Sequence, residues 1–501
     1  MNPFPPVPKI AKERTEENQR KIEAAALELF TKQGFHGTNS REIAEKVGVS
    51  SGAIYTYFPS KEAIFATLAQ RYRLRIEEWL GQTVASLSDP LCKASLKKFA
   101  SAIQSKMRTD PQYLLMLLSD VIEFRNQHFL ETFHDVPQQL RDWVGQVMQR
   151  VRKQPGWCGE DPAFVLASVY LYFFTYALLE LHMQGEHHLG LSHEQAMDRF
   201  IDLLSRGMWH SRPAAPLRNR GKNSRDYMTN LRATHKDVRD RVSYIRFLSG
   251  RLWSSPPDMP PDNSKADNKQ QPTMHPMLFF PEIPRDRIDE SQLRIEQAAL
   301  ELFTRQGFHG TNIRDIAEKA GVSLGAIYAY YPSKEMIFEG LVRSYRHCMR
   351  KFLERVFRAL EDPFSPSGLR FFAEAIRSTV YNDAEYWLLM YIDVIEFKNQ
   401  HFANLFHNVP EQFRRLLGPV IDHVKKQPGW CGQDPALVMA MVYFYVVTYF
   451  VIERLMHGSQ HLGVSDEEAI DRFITILSNG LWHTSSVTPS SKPQKKRQPR
   501  T

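Results

Sequence analysis

The chain repeats itself. Sliding the sequence by 273 residues aligns it with itself, without a gap, from the N-terminus to Trp209/Trp482. Residues 21–65 and 294–338 agree at 35 of 45 positions, and "KQPGWCG" recurs unchanged at 153–159 and 426–432. Even Met274 falls on Met1, Pro276 on Pro3 and Pro281 on Pro8, as expected when two complete reading frames are joined. The period is far longer than the roughly 20–50 residues of solenoid repeats. Two whole units are therefore expected, each with its own core, because 501 residues exceed what one core usually fills.

Hydrophobic residues make up 43% and charged residues 24%, as in ordinary soluble globular material. Four cysteines without a CxxC or Cys/His ligand spacing argue against a disulfide scaffold or a zinc site and point to a reducing cytoplasm. The start "MNPFPPVPKIAKER" has no apolar run behind its charges, so no cleavable leader is expected. Two apolar runs, 163–179 and 436–452, hold 17 uncharged residues each. That falls short of the roughly 20 a membrane helix usually needs, and helices buried on all sides are expected instead.

The net charge of +8 is uneven. Residues 212–251 hold 11 Lys/Arg against three Asp, and the tail "SKPQKKRQPR" adds five positive charges. Basic arms on near-neutral domains suit a polyanionic partner, although each arm alone also reads as a solvated linker or tail. Between the units, apolar residues at 231, 238, 242, 245 and 248, with Ser224 as cap and Gly250 as stop, predict a basic helix. The Pro-rich polar stretch after it, 251–273, is expected to be disordered.

Each unit reads as all-α, with nine helical segments and no convincing strand. In the first they run about 16–33, 40–46, 50–56, 60–86, 91–107, 110–132, 136–153, 161–184 and 191–209. Gly34, Gly48, Pro59, Pro90, Pro111, Pro137 and Pro162 punctuate them. The first helix turns Ile22, Ala25, Ala26, Leu29 and Phe30 to one face. "TNSREIAEKVG" is a short helix capped by Thr38 or Asn39, and after a Gly-containing turn Ser50 caps a third helix. This is the helix-turn-helix pattern, whose second member enters the DNA major groove, though such trihelical units also serve as plain packing modules. Thr38, Ser50 and Lys61 sit at helix N-termini, where free N–H groups favour phosphate. Gly52 permits close approach of backbone to a surface, and Tyr55 and Tyr57 offer hydroxyls. Ser50 is equally accounted for as a cap, and Tyr57 and Phe58 as core.

These residues resemble the tetracycline-repressor-like (TetR) family of bacterial transcription regulators. "GFHGTNSREIAEKVGVSSGAIYTYFPSKE" and "GFHGTNIRDIAEKAGVSLGAIYAYYPSKE" both match its pattern of a Gly/Phe turn followed by TT-x-R-x-IA-x-x-AGVS-x-G-x-LY-x-YF-x-SKE. The resemblance implies nine helices per unit, an effector pocket in helices four to seven and dimerisation through the last two. It points to Thr38, Asn39, Ser50, Ser51, Gly52, Ala53, Tyr55, Tyr57 and Lys61 at the DNA. In the second unit it points to Thr311, Asn312, Ser323, Leu324, Gly325, Ala326, Tyr328, Tyr330 and Lys334. Asn in place of the second Thr departs from the pattern and puts one contact in doubt.

The expected domains are a helix-turn-helix at 15–60, an effector and dimerisation domain at 61–211, a basic helix and linker at 212–287, a second helix-turn-helix at 288–333, a second effector domain at 334–484, and a basic tail at 485–501. Family members normally carry one unit and pair as homodimers. Here the two units pair within one chain, or between chains as a dimer of tandems; the sequence leaves both open. About 25 Å of coil and roughly 35 Å of helix make intrachain pairing sterically feasible. Between the motifs at 49–62 and 322–335 only Ser51→Leu324, Thr56→Ala329 and Phe58→Tyr331 differ, which suggests similar but unequal half-sites, with neutral drift as the alternative.

His182, His187, His188 and His193 suggest a metal until the second unit is consulted, where they become Leu455, Gln460, His461 and Asp466. No metal, no cofactor and no catalytic constellation are expected. Carboxylates in apolar helices are costly unless partnered. Asp120, Glu123 and Glu180, with Asp393, Glu396 and Glu453, are therefore candidate effector contacts beside Phe99, Met116, Phe124, Tyr172 and Tyr176, unless Arg or Tyr partners them internally. An apolar, aromatic pocket is expected to favour a lipophilic effector. The reading is a cytoplasmic regulator, a repressor, released from its operator by that effector. The alternative is a duplicated helical interaction protein.

Overall fold

The computed structural model describes residues 9–87, 89–130, 135–182, 188–208, 290–360, 362–403, 405–456 and 461–480. Among them every regular element is a helix. The first unit holds α1 (Lys9–Gln33), α2 (Ser40–Val47), α3 (Ser51–Tyr57), α4 (Lys61–Ala85), α5 (Lys93–Thr109), α6 (Pro111–Phe124), α7 (Val136–Arg152), α8 (Pro162–His182) and α9 (His193–Arg206). The second holds α10 (Glu290–Gln306), α11 (Ile313–Ala320), α12 (Leu324–Tyr330), α13 (Lys334–Ala359), α14 (Pro366–Asn382), α15 (Ala384–Glu396), α16 (Val409–Leu417), α17 (Val420–Lys425), α18 (Pro435–Leu455) and α19 (Asp466–Asn479). The expected basic helix, the linker and the tail lie outside the described residues.

Two departures from the expected helices have local causes. The seventh helix runs through in the first unit, with Val144 off helical geometry, but breaks in the second at Gly418 (φ 50°) and Pro419. Proline has no N–H and its ring clashes with the preceding turn, so a kink beside Gly145-Gln146 becomes a break at Gly418-Pro419. Among the described residues the second unit thus has ten helices where nine were expected. The sixth helix, expected to reach 132, stops at Phe124, because Arg125 and Asn126 take left-handed φ of 53° and 60°. Asp120 fixes that turn by accepting the N–H of His128 at 2.9 Å and of Phe129 at 3.2 Å. Asp393 holds His401 and Phe402 in the same way at 3.0 and 2.9 Å.

The units pack on each other through α8 against α18 and α9 against α19. Both apolar helices have the length and composition of membrane spans, yet 83% and 100% of their apolar windows are buried inside the protein. The Tyr445 hydroxyl donates to Ser168 across the seam at 2.6 Å, and the N–H groups of Val136 and Val409 reach the carbonyls of His461 and His188 at 2.9 and 2.8 Å. Each fully buried aromatic here removes enough surface for about 1.5–3 kcal/mol. At the centre, the ends of α9 and α19 touch backbone to backbone. A Cβ on Gly207 would lie 2.5 Å from the Gly480 nitrogen, and one on Gly480 would lie 2.4 Å from Arg206.

Candidate nucleic-acid interface

Each head is three helices on one apolar cluster. Ile22, Ala26 and Phe30 of α1 meet Ile43 and Ala44 of α2 and Ile54 of α3, all buried. Asn39 is the cap of α2: its side chain accepts the Glu42 N–H at 2.9 Å, while Glu42 accepts the Asn39 N–H at 3.1 Å. Gly48 ends the helix at φ 79°, a left-handed turn that glycine adopts without strain. Ser50 then caps α3, accepting the Ala53 N–H at 3.3 Å. The second head repeats the device with Asn312, Gly321 and Ser323.

Only Ile54 and Ile327 are buried from the third helices, so their other face is free. Ser51, Gly52, Tyr55 and Thr56 are exposed there, with Gly325, Tyr328 and Ala329 in the second head. Tyr55 is 53% and Tyr328 49% exposed, large apolar rings left in solvent on seven-residue helices. Ala53, Tyr57, Leu324, Ala326 and Tyr330 are half-buried at the edges of these faces. The Tyr57 hydroxyl accepts a hydrogen bond from Asn18 at 2.8 Å.

Other residues singled out in the sequence turn inward. Thr38 and Thr311 are each 1% exposed, their hydroxyls donating to Gly34 and Gly307 carbonyls at 2.8 Å. Lys61 donates to the Phe35 and Thr38 carbonyls at 2.8 and 2.7 Å and lies over the Phe35 ring. Lys334 does the same with Phe308 and Thr311. Burial lowers the pKa of both amines, opposed by nearby carboxylates. These lysines clamp the loop between the first two helices of each head.

That loop, "GFHG" in both heads, is where the heads meet, a contact the sequence reading missed. A Cβ on Gly310 would stand 2.8 Å from the His36 Cβ, and one on Gly37 3.0 Å from the His309 Cβ. Beneath the loops lie Glu123 and Glu396, whose side chains are 3% exposed. Both carboxylates come within 3.6 Å of the position a Gly307 Cβ would take. Glu396 accepts the N–H of Phe308 at 3.0 Å and of His309 at 2.6 Å, and Glu123 meets the His36 ring at 3.1 Å. Burial, then the neighbouring Glu396, push Glu123 up to about 8, against the N–H groups of His36 and Phe35. Burial pushes Glu396 up to about 7, against the N–H groups of His309 and Phe308 and the charge of Lys334.

The remaining candidate effector residues are packed by their own neighbours. Phe99, Met116, Asp120, Tyr172 and Tyr176 are at most 1% exposed. Tyr172 stacks on Phe200 and meets Tyr445 of the second unit edge-on. Phe124 packs on Phe35 and Phe65 beneath the head. Glu180 meets His193, and Glu453 accepts the His461 N–H at 3.0 Å. Open space lies elsewhere. A cavity of about 990 Å³ between α13 and α16 is lined by Tyr345, Met349, Leu353, Phe413 and Tyr443 together with several arginines. Another, of about 720 Å³, opens where α6 of the first unit meets α10 and α15 of the second.

Comparison with known proteins finds the three-helix heads twice. The family described as "Bacterial regulatory proteins, tetR family" matches at 22–68 and again at 295–341, the two heads and the start of the helix after each. The chain is a tandem duplication that carries a tetR-family head in each unit. It is 30% identical over 120 residues to the uncharacterized HTH-type transcriptional regulator YerO of Bacillus subtilis (strain 168), covering 24% of this chain and 42% of that protein. It is 34% identical over 94 residues to the HTH-type transcriptional regulator RutR of Escherichia coli (strain K12), covering 19% and 43%. YfiR of Bacillus subtilis (strain 168), another uncharacterized HTH-type regulator, is 27% identical over 157 residues, covering 30% and 74%. The chain thus spans about two fifths of the length of the first two relatives.

Proposed function

We propose that this chain is a sequence-specific DNA-binding transcription regulator, a repressor whose two heads read one operator from a single polypeptide. The observation that carries this is the pair of exposed third helices, each presenting a solvent-facing tyrosine beside a glycine. Major-groove reading needs such a helix, free on one face and capped at its N-terminus. Ser50, Ser51, Gly52, Ala53, Tyr55 and Tyr57 supply the first contact surface, and Ser323, Leu324, Gly325, Ala326, Tyr328 and Tyr330 the second. Asn39 and Asn312 flank them. Thr38, Lys61, Thr311 and Lys334 act by holding the loops that aim the helices.

The same reading makes the protein a cytoplasmic non-enzyme that responds to a small lipophilic effector. The aromatic and aliphatic walls between α13 and α16 support that class of ligand. An effector changes DNA affinity only by its differential affinity for two arrangements of the heads.

The test is selection of duplexes from a random pool by the full chain, followed by fluorescence anisotropy. The expected result is an enriched sequence with two unequal half-sites about 35 Å apart. Replacing Tyr55 and Tyr328 together by Ala should lower affinity for it at least about tenfold, each lost contact costing about 1–3 kcal/mol. A pool that yields no preferred sequence contradicts the reading.

A further inference from the structure

The duplication provides an internal control for the cavity between the units. Asp110, at the junction of α5 and α6, meets Lys106 at 3.4 Å and Arg75 at 3.5 Å. Its counterpart at the junction of α14 and α15 is Asp383. There Thr379 stands for Lys106 and Cys348 for Arg75, so both cations are gone while the carboxylate remains. Among the described residues the Asp383 side chain has no ion pair, and it makes no capping hydrogen bond to α15. It sits within electrostatic reach of Tyr345, Tyr386 and Cys348. Burial pushes its carboxyl up to about 7, with Glu385 adding to the rise. A carboxylate taken out of water without a partner is expensive unless something else supplies the charge.

Asp383 lines the 720 Å³ cavity, and Glu385, which stands where the first unit has Gln112, lines it too. Glu123 and Glu301 add carboxylates, against Arg125 and Arg305, and Glu301 is already paired with Lys319 at 2.6 Å. Val121, Ile122, Leu300 and Leu388 supply apolar wall, and Tyr386 an aromatic ring. Such rings attract cations as well as apolar surface.

We propose that this cavity binds an organic cation, an amine or delocalised amidinium on a flat apolar body, with Asp383 as its counter-ion. The ligand would supply the charge that Lys106 and Arg75 supply in the first unit. Its walls come from α6 of the first unit and from α10, the first helix of the second head, so an occupant bears directly on how the heads sit. That consequence rests on the regulator reading above; the binding itself does not.

The probe is thioflavin T, a flat fluorescent cation, titrated into the full DNA-free chain, with its uncharged analogue lacking the ring N-methyl group as control. Wild type should bind the cation at least tenfold more tightly than the analogue. Asp383→Asn should weaken thioflavin T at least tenfold, and Thr379→Lys, which imports the first unit's own cation, should do the same. Asp110→Asn should leave binding within twofold. Asp383 is only half-buried, so removing its charge does not threaten folding, and Thr379→Lys gives an independent route to the same answer. Equal binding of cation and analogue, wild-type affinity in Asp383→Asn, or an equal loss in Asp110→Asn overturns the site. Displacement of an operator duplex by thioflavin T is measured separately, so failure of the DNA reading and failure of the site are told apart.

Discussion

The two units share a scaffold and differ in how they neutralise it. In the first, Glu23 is buried beside Arg71 at 2.6 Å. In the second, Ser344 replaces that arginine, and Glu296 is held instead by the Tyr331 hydroxyl and by Gln292 at 3.2 Å. Phe58 fills the place of Tyr331 in the first unit, so one of the three changed letters in the repeated motif compensates an inner charge. At Asp383 the same kind of loss has no compensation. The comparison teaches that a duplicated core keeps its carboxylates while their partners diverge, and that the divergence marks where the units have taken different tasks.

The largest expected effect tests what remains symmetric. Gly207 (φ 75°, ψ 175°) and Gly480 (φ 77°, ψ 172°) occupy a conformation open almost only to glycine, with no room for a Cβ. Gly207→Ala and Gly480→Ala should each cost about 3–5 kcal/mol from strain and overpacking together, read by denaturant unfolding. Unequal losses would show that the seam is not shared evenly. Next, Gln146→Pro should impose the second unit's helix break on the first at about 2–3 kcal/mol, whereas Pro419→Gln should cost nothing. Tyr331→Phe should cost about 1–3 kcal/mol by stranding Glu296, and adding Ser344→Arg should recover most of it. No recovery would sever the compensation drawn above.

The paired carboxylates under the heads give a separate test, in pH. Glu123 and Glu396 hold their protons to about 8 and about 7 when folded, against an ordinary 4.5. The folded chain therefore binds more protons across that window, and this contribution is full below about 4.5 and is lost as pH rises through 7–8. Replacing both by Gln should flatten the pH profile of stability between those limits. An unchanged profile would place the titration elsewhere.

The periodicity of apolar residues, the Gly and Pro punctuation and the gap-free self-alignment made the helices and the two heads legible before any coordinates. The third-helix faces needed the structure: only Ile54 and Ile327 are buried there, and Tyr57, which read as core or contact alike, is half-buried. Other features were not legible because they depend on contacts between distant segments. Thr38 and Lys61 sit at helix starts, as phosphate contacts do, yet their polar atoms satisfy carbonyls of their own head. Asp120 read as a buried charge awaiting a ligand, while the loop eight and nine residues on supplies its partners. Glu123 and Glu396 meet only because the units pair, and no local signal announces that. The changed cations around Asp383 were visible in the aligned copies, but their meaning needed the cavity.

The central claim is that one polypeptide supplies both heads of a single DNA reader. Absolute mass by light scattering, free and with a selected operator duplex, tests it most directly. A mass of 58.2 kDa free and one chain per duplex when bound is expected. A free mass near twice that, with four heads in the bound complex, would mean that the units pair between chains and would contradict it.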